Sequence, residues 1–269
     1  MVRIGINACT GRMGQELLVA VSRSEHVELK AALLRPGHAW TGEQLHSQFP
    51  HIKSSLVFAD DLRQVADDID VLIDFSLPDF SIQTAELCHQ LNLPVVIGTT
   101  GFNYEQKKRI ETLSSESAVL MAPNMSVGVN LSLKILELVA QVIGDESDVE
   151  VMEAHHRYKK DSPSGTALRM GEAIAKGMDK VFSEVAAFDR CGKDAVRKPG
   201  SIGFSAVRAG NIVGEHTALF AMAGEEIEIT HKARSRQTFA EGAIKAACWL
   251  VEQPPGSYDM MDVLGLKGA

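Results

Sequence analysis

Between Glu150 and Ala167 the chain reads E-V-M-E-A-H-H-R-Y-K-K-D-S-P-S-G-T-A, its densest run of groups able to move protons or hold anions. His155, His156, Arg157, Lys159 and Lys160 place five potential cations within six residues of a chain whose formal charge is −8. Histidine titrates near neutral pH, and a lysine close by can hold or deliver a proton. Positive charge beside the N–H groups of a helix start makes an anion site. The pattern points to proton transfer on an anionic substrate, and the competing reading is a solvated basic loop. A metal site is disfavoured, because adjacent strand histidines point to opposite faces and do not easily chelate one ion.

The elements that would position these groups are legible around them. Val149, Val151 and Ala154 among polar neighbours suit a half-buried strand. Pro163 breaks the chain, Ser164 is an N-cap candidate, and the helix formers from Ala167 to Met178 predict a helix over 166–178. Near the start, an apolar strand over 2–7 meets the turn A-C-T-G-R-M-G and a helical run over 15–22. Strand, glycine-bearing turn and helix form the layout of a dinucleotide-binding βαβ unit, in which turn and helix start face a pyrophosphate. Gly11 and Gly14 are present, while Ala8 and Thr10 stand where glycines are more usual. The next strand, 27–34, ends in L-L-R-P. An acid there would hold the 2′-hydroxyl of NAD, whereas an arginine accommodates the 2′-phosphate of NADP. Leu34 and Arg35 therefore predict a preference for NADPH.

Further strands are expected at 56–58, 71–75, 95–97 and 119–122, with helices at 60–66, 79–91 and 104–115. Strands alternating with helices imply a doubly wound parallel sheet, whose ligands bind beyond the carboxyl ends of its strands. Two polar turns fall there, Gly98-Thr99-Thr100-Gly101 and Ala122-Pro123-Asn124-Met125. An amphipathic helix over 127–143 leads into a second domain. Strand-like runs at 203–208, 212–221 and 226–232 suggest an antiparallel meander there, and the last helix spans 239–251. The expected domains are 1–126 completed by 236–269, and 127–235. A sheet with helices on one face leaves the other to be covered, which predicts a homo-oligomer, taken as a tetramer.

Composition sets the outer limits. At 269 residues and 45% hydrophobic, the chain can bury one large core or two moderate ones. Four dispersed cysteines, Cys9, Cys88, Cys191 and Cys248, read as reduced thiols of a cytoplasmic protein. The acidic balance argues against nucleic acid as a partner. The first residues read as a strand rather than a signal peptide, and no apolar run is taken to reach membrane-spanning length.

The stretch E-A-H-H-R-Y-K-K-D-S-P-S-G-T-A resembles the signature of the dihydrodipicolinate (4-hydroxy-tetrahydrodipicolinate) reductase family, E-x-H-H-x-x-K-x-D-x-P-S-G-T-A. The likeness runs through G-R-M-G, V-I-G-T-T-G-F, the A-x-N-x-S-V-G-V-N turn, V-R-A-G-x-I-V-G-E-H and I-T-H-K-A, over essentially the whole chain. It implies an α/β fold: a Rossmann-like doubly wound sheet plus a second α+β domain with an open mixed sheet. The implied activity is reduction of a small cyclic imine dicarboxylate with NADPH or NADH, on the route to diaminopimelate and lysine. By the same resemblance, His155 is the proton donor and Lys159 the second catalytic residue. His156, Gly165 and Thr166 hold the substrate. Ala8, Cys9, Thr10, Gly11, Arg12, Met13 and Arg35 meet the phosphate and adenosine side of the coenzyme. Gly98, Thr99, Thr100, Ala122, Pro123, Asn124 and Met125 line its nicotinamide side. No metal is implied. A non-catalytic dinucleotide sensor, a related amino-acid dehydrogenase and an oligomeric scaffold are the rival readings. The sensor needs no proton donor, P-S-G-T beside paired histidines favours a dicarboxylate over the dehydrogenase's substrates, and a scaffold does not explain the polar turns collected at one sheet edge.

Overall fold

The first strand, β1 (Val2–Asn7), turns sharply at Ala8 into α1 (Arg12–Ser22), and this hairpin of strand and helix sets the pattern for the first half of the chain. There follow β2 (Val27–Leu33), the short α2 (Leu45–Gln48), β3 (Phe58–Ala59), β4 (Val71–Asp74), α3 (Pro78–Gln90), β5 (Val95–Ile97), α4 (Tyr104–Ser114) and β6 (Ala118–Met121). The computed structural model describes residues 1–52 and 54–268. Its chain divides into two compact units, Met1–Val127 with Arg236–Ala269, and Gly128–Ser235.

In the first unit every strand pairing is parallel, in the order β3-β2-β1-β4-β5-β6 with one later strand beyond β6. Strands covered on both faces need apolar side chains on both. Accordingly all four residues of β4 and all three of β5 are buried. The order reverses between β1 and β4, so the turns leaving those strands flank the switch point where open α/β sheets bind ligands. The expected helix at 60–66 is instead two 3₁₀ turns, Leu62–Gln64 and Ala66–Asp68, the first capped by the Asp61 side chain. The strand expected at 56–58 shortens to Phe58–Ala59.

The second unit starts with α5 (Val127–Ile143), then β7 (Asp148–His155), α6 (Gly165–Gly177), α7 (Phe182–Val185), β8 (Ala186–Ala187), β9 (Ile202–Arg208), β10 (Gly214–Ala221) and β11 (Glu226–Ala233). The sheet order is β11-β10-β7-β9-β8, with β7 in the middle. The expected meander is corrected in one respect: β10 and β11 form a hairpin, but β9 pairs parallel to β7 and not with β10. Ile202, Gly203 and Phe204 are buried, as suits a strand reached by a helical crossover, and α6 supplies that crossover. Gly171 lets α6 lie close, since a Cβ there would stand 2.4 Å from the Phe204 ring. The charged loop after α7 is tied down by arginines. Arg197 donates to Asp148 Oδ1 at 2.8 Å and to the Val149 carbonyl at 2.9 Å, and Arg190 pairs with Glu150.

A second correction concerns Val127–Glu146. Within this 20-residue helical segment an 18-residue window has a mean hydropathy of 1.5, enough by length and composition alone to cross a membrane. One face of it, with Val129, Leu133, Leu136 and Ala140, is buried, while a third of the window in all is covered.

The chain then returns to the first unit as α8 (Gln237–Leu250), β12 (Gly256–Tyr258) and α9 (Met260–Val263). An Ala/Gly face on α8, including Ala240, Gly242, Ala243, Ala246 and Ala247, is buried against the sheet. Gly242 permits the approach, because a Cβ would fall 1.8 Å from the Met125 carbonyl. Beyond Pro254 and Pro255 the chain adds β12 parallel to β6 as the seventh strand, past the last element that the sequence predicts.

Candidate active site

The alternation of β7 continues past its apolar start. Val149 and Val151 are buried, and the same period of two brings Glu153 and His155 to the buried face at the strand's carboxyl end. Glu153 is 3% exposed and His155 8%. His155 Nδ1 lies 2.6 Å from Glu153 Oε2. Arg208, opposite on β9, grips the same carboxylate as a fork, with Nη1 2.7 Å from Oε2 and Nη2 2.7 Å from Oε1. The Ser164 backbone N–H donates to Glu153 Oε1 at 3.0 Å.

Ser164 is the N-cap of α6, as expected. Its Oγ accepts from the Ala167 N–H at 3.2 Å and lies 2.9 Å from His216 Nε2 on β10. A cap of this kind contributes about 1 kcal/mol to its helix. Gly165 is therefore the first residue of α6 and is exposed, with no heavy atom within 4 Å of where its Cβ would be. Thr166 follows it. Lys159 points its ammonium at Asp161 Oδ1, 2.8 Å away, whereas Lys160 is exposed. The loop is anchored by Arg208, which also donates to the Asp161 carbonyl at 2.7 Å. His156 is half-buried, its ring 6.4 Å from that of Tyr158.

Charge in this cluster is set by burial against pairing. Burial pushes the Glu153 carboxyl upward, but Arg208, His155 and the Ser164 amide outweigh it and hold the group below its ordinary range. For His155 burial wins: its pKa lies below the usual histidine value despite Glu153 alongside. Burial is also the main reason that His216 is pushed down to about 4, with His155 adding to the effect. Asp161 is displaced upward by burial, but Lys159 together with the backbone amides of Asp161 and Gly165 outweighs this and leaves it below its ordinary value. The His155 and His216 rings meet edge to face at 5.0 Å. Gly214 makes room for the first of them, since a Cβ there would stand 3.1 Å from His155 Nε2.

In the first unit, the predicted coenzyme residues gather in two places. Arg12, Met13, Gly98, Thr99, Thr100, Ala122, Pro123, Asn124 and Met125 line one cavity of about 440 Å³ at the carboxyl ends of the strands. Phe75, Ser76, Leu77, Pro78 and Phe239 complete its wall and were not anticipated. The first four could have been found, because they prolong β4 beyond its end just as Gly98–Thr100 prolong β5. Gly98 is required there: a Cβ would lie 2.2 Å from the Phe75 ring. Beneath the loops Asp74, fully buried, accepts from Asn7 Nδ2 at 2.7 Å, Ser76 at 3.1 Å, Thr99 at 3.2 Å and Ser81.

Ala8, Cys9, Thr10 and Gly11 form the turn itself. Ala8 has φ 52°, the left-handed region that a glycine adopts freely and that costs alanine on the order of 1 kcal/mol. The Gly11 N–H donates to the Ala8 carbonyl at 2.9 Å, closing the turn. Gly14 lets α1 press on it, as a Cβ would sit 2.4 Å from the same carbonyl. Cys9 turns its side chain inward, and burial pushes its thiol up to about 12, leaving only its backbone for a ligand. No side chain caps α1 at Gly11, and no acid occupies its first turn. Leu34 is buried, while Arg35 is exposed at the end of β2. A second cavity, of about 610 Å³, opens beside Leu34, Pro36 and Asp60, whose carboxylate accepts from the Gly37 N–H at 2.9 Å.

Comparison with known proteins covers both units. Residues 2–125 match the family profile described as dihydrodipicolinate reductase, N-terminus, and residues 128–264 match that for the C-terminus. The chain is 48% identical over 268 residues to the 4-hydroxy-tetrahydrodipicolinate reductase of Methylococcus capsulatus, covering all of both chains. It is 50% identical over 267 residues to the enzyme of that name from Hahella chejuensis, covering 99% of this chain and 100% of the relative. Among solved structures it is similar to the dipicolinate-bound dihydrodipicolinate reductase from Paenisporosarcina sp. TG-14. That match has a TM-score of 0.76 and 27% identity, and covers 97% of this chain and 98% of the other.

Proposed function

The chain belongs to the dihydrodipicolinate reductase family, and on that premise we propose that it reduces 4-hydroxy-tetrahydrodipicolinate to tetrahydrodipicolinate with a nicotinamide coenzyme, as a step towards diaminopimelate and lysine. The observation that carries this reading is the meeting, on one motif, of a buried imidazole, a lysine and an accessible helix start.

The first unit's residues fit a dinucleotide. The Ala8–Gly11 turn is closed by its own hydrogen bond, and α1 begins without a side-chain cap, so its first amides face outward toward a pyrophosphate. Arg12 and Met13 then belong to the phosphate turn. Gly98, Thr99, Thr100, Ala122, Pro123, Asn124 and Met125 would surround the nicotinamide end. When bound, the reduced nicotinamide supplies a hydride. Arg35, exposed where no acid follows Leu34, would pair with a 2′-phosphate, and NADPH is the proposed preferred coenzyme, with NADH the weaker.

The second unit's residues supply the rest. The Gly165 and Thr166 amides at the start of α6 would hold one substrate carboxylate without adding a titratable group, and His156 would contact the substrate beside them. Hydride addition to the conjugated imine leaves an electron-rich carbon that must take a proton, and His155 gives it. In the chain alone His155 lies below its ordinary pKa. A dianionic substrate favours the charged imidazolium and the Lys159 ammonium, so binding would draw a proton onto His155. Lys159, now on Asp161, would turn to the incoming carboxylate.

We further propose that the chain is a cytoplasmic homo-oligomer, a tetramer, with neither nucleic acid nor membrane as partner. Apolar residues left exposed along α5, Leu131, Ile135, Leu138 and Val142, and on the sheet at Val207 and Ile227 support an additional protein surface. The function is tested by mixing the purified chain with freshly generated substrate and following coenzyme oxidation. Steady oxidation of NADPH, with NADH at a higher KM, is expected. No oxidation of either coenzyme would end the reading, and equal affinity for both would end the NADPH preference.

A further inference from the structure

One carboxylate beneath the active site collects more donors than a structural ion pair needs. Glu153, its side chain 1% exposed, takes two N–H groups from Arg208, one from the Ser164 backbone, and the hydrogen bond with His155 Nδ1 at 2.6 Å. A buried carboxylate with a guanidinium fork stays ionised and can only accept. The proton in the bond to His155 is therefore on Nδ1, which leaves Nε2 as the ring's working nitrogen. Nε2 stands 3.1 Å from where a Cβ on Gly214 would be, so the glycine leaves that nitrogen uncrowded. An ion pair that serves stability alone would account for Arg208, but not for a carboxylate shared between an imidazole and the cap residue of α6.

We propose that Glu153 is a positioning residue for proton transfer: it holds His155 as the Nδ1–H tautomer with Nε2 toward the substrate, and through the Ser164 amide it fixes that donor relative to the Gly165–Thr166 helix start. The mechanistic part rests on the function proposed above, whereas the tautomer is a property of the chain itself. Arg208 serves by keeping Glu153 ionised and in place. The same carboxylate thus joins the proton donor to the carboxylate grip, so that donor and substrate are set against each other by one rigid group. The charged and titratable groups around His155 are Glu153 on its own strand, Arg208 on β9, His216 on β10 and Lys159 in the loop; His231 on β11 acts on His216, and Asp161 holds Lys159.

The test is nitrogen NMR of the full-length chain labelled at histidine, with the His155 signals assigned by their loss in His155→Gln. At pH 7.5 the wild type is expected to have a protonated Nδ1 and a bare Nε2. Glu153→Gln, which can turn an amide N–H₂ toward the ring, is expected to convert His155 wholly or partly to the Nε2–H form. In turnover, Glu153→Gln should lower kcat by about tenfold to a hundredfold, within what a general acid contributes, while the coenzyme KM stays put. The pH limb belonging to His155 should move to lower pH, because an anion that favours the imidazolium is gone, and Glu153→Asp should recover part of kcat. A bare Nδ1 in the wild type overturns the proposal, as does a Glu153→Gln protein with wild-type tautomer and kcat. Should Glu153→Gln not fold, the wild-type spectrum alone decides. If the wild type reduces no dicarboxylate, the functional reading falls, and the spectrum still judges Glu153 separately.

Discussion

His216 should make the second unit sensitive to mild acid. It is 5% exposed, and its Nδ1 has no hydrogen-bond partner among the described residues. Burial holds its pKa at about 4, against an ordinary histidine value near 6.5. The folded chain therefore keeps His216 neutral while the unfolded chain takes a proton below pH ~6.5. Its contribution to stability is fully present above that pH and is lost progressively as pH falls toward 4. Each pH unit within the window is worth about 1.4 kcal/mol, so moving from pH 7.5 to 5 costs roughly 2 kcal/mol from this group. Burial lowers His155 and His231 too, so they add losses of the same sign, while Glu153, held low by Arg208, gives way only in a more acidic window. A difference measurement isolates His216. His216→Gln places an amide near the Nε2 that meets Ser164 and cannot titrate. Apparent melting temperatures at one protein concentration should fall between pH 7.5 and 5 by roughly 4–8 °C more in the wild type than in His216→Gln. Equal falls in the two proteins would refute the reasoning.

Two other perturbations follow from the same geometry. Gly214→Ala puts a methyl 3.1 Å from His155 Nε2 and 3.4 Å from Cδ2, while the ring is anchored to Glu153 at 2.6 Å, so it must shift by a few tenths of an ångström. Misplacement on that scale should lower kcat about threefold to tenfold with the coenzyme KM unchanged, and steady-state kinetics with wild-type kcat would contradict it. Asp161→Asn removes the anion that now occupies the Lys159 ammonium, so the KM for the dicarboxylate should fall by about twofold to fivefold; a rise in KM would mean that Asp161 orients Lys159 rather than competing for it.

How much of this the residues foretold differs by element. The parallel sheet was legible because strands buried on both faces carry continuous apolar runs, as 71–73 and 95–97 do. The central motif was legible because charge and a helix start coincide in it. The place of β9 was not: its turn to β10 looks like a hairpin locally, and only the pairing of both strands with β7 separates them. Strand β12 follows two prolines and spans three residues, too few for any periodicity. Glu153 was passed over as one polar residue among several, although the period of two from Val149 and Val151 marks it as inward-facing. Arg208 and His216 lie more than 50 residues from it in sequence; both fall in the stretch V-R-A-G-x-I-V-G-E-H, but nothing in that stretch links them to Glu153 or Ser164. At the coenzyme turn Ala8 stands where a glycine is more usual, and its φ of 52° is the conformation a glycine would adopt freely.

The most direct measurement compares NADPH and NADH oxidation by the wild type, His155→Ala and Lys159→Ala, with freshly generated substrate and coenzyme binding checked separately. The account predicts turnover lower by about two orders of magnitude or more in each variant, with coenzyme affinity intact. Wild-type turnover in both would mean that the motif is structural, and that proton delivery by His155 and carboxylate pairing by Lys159 have to be given up.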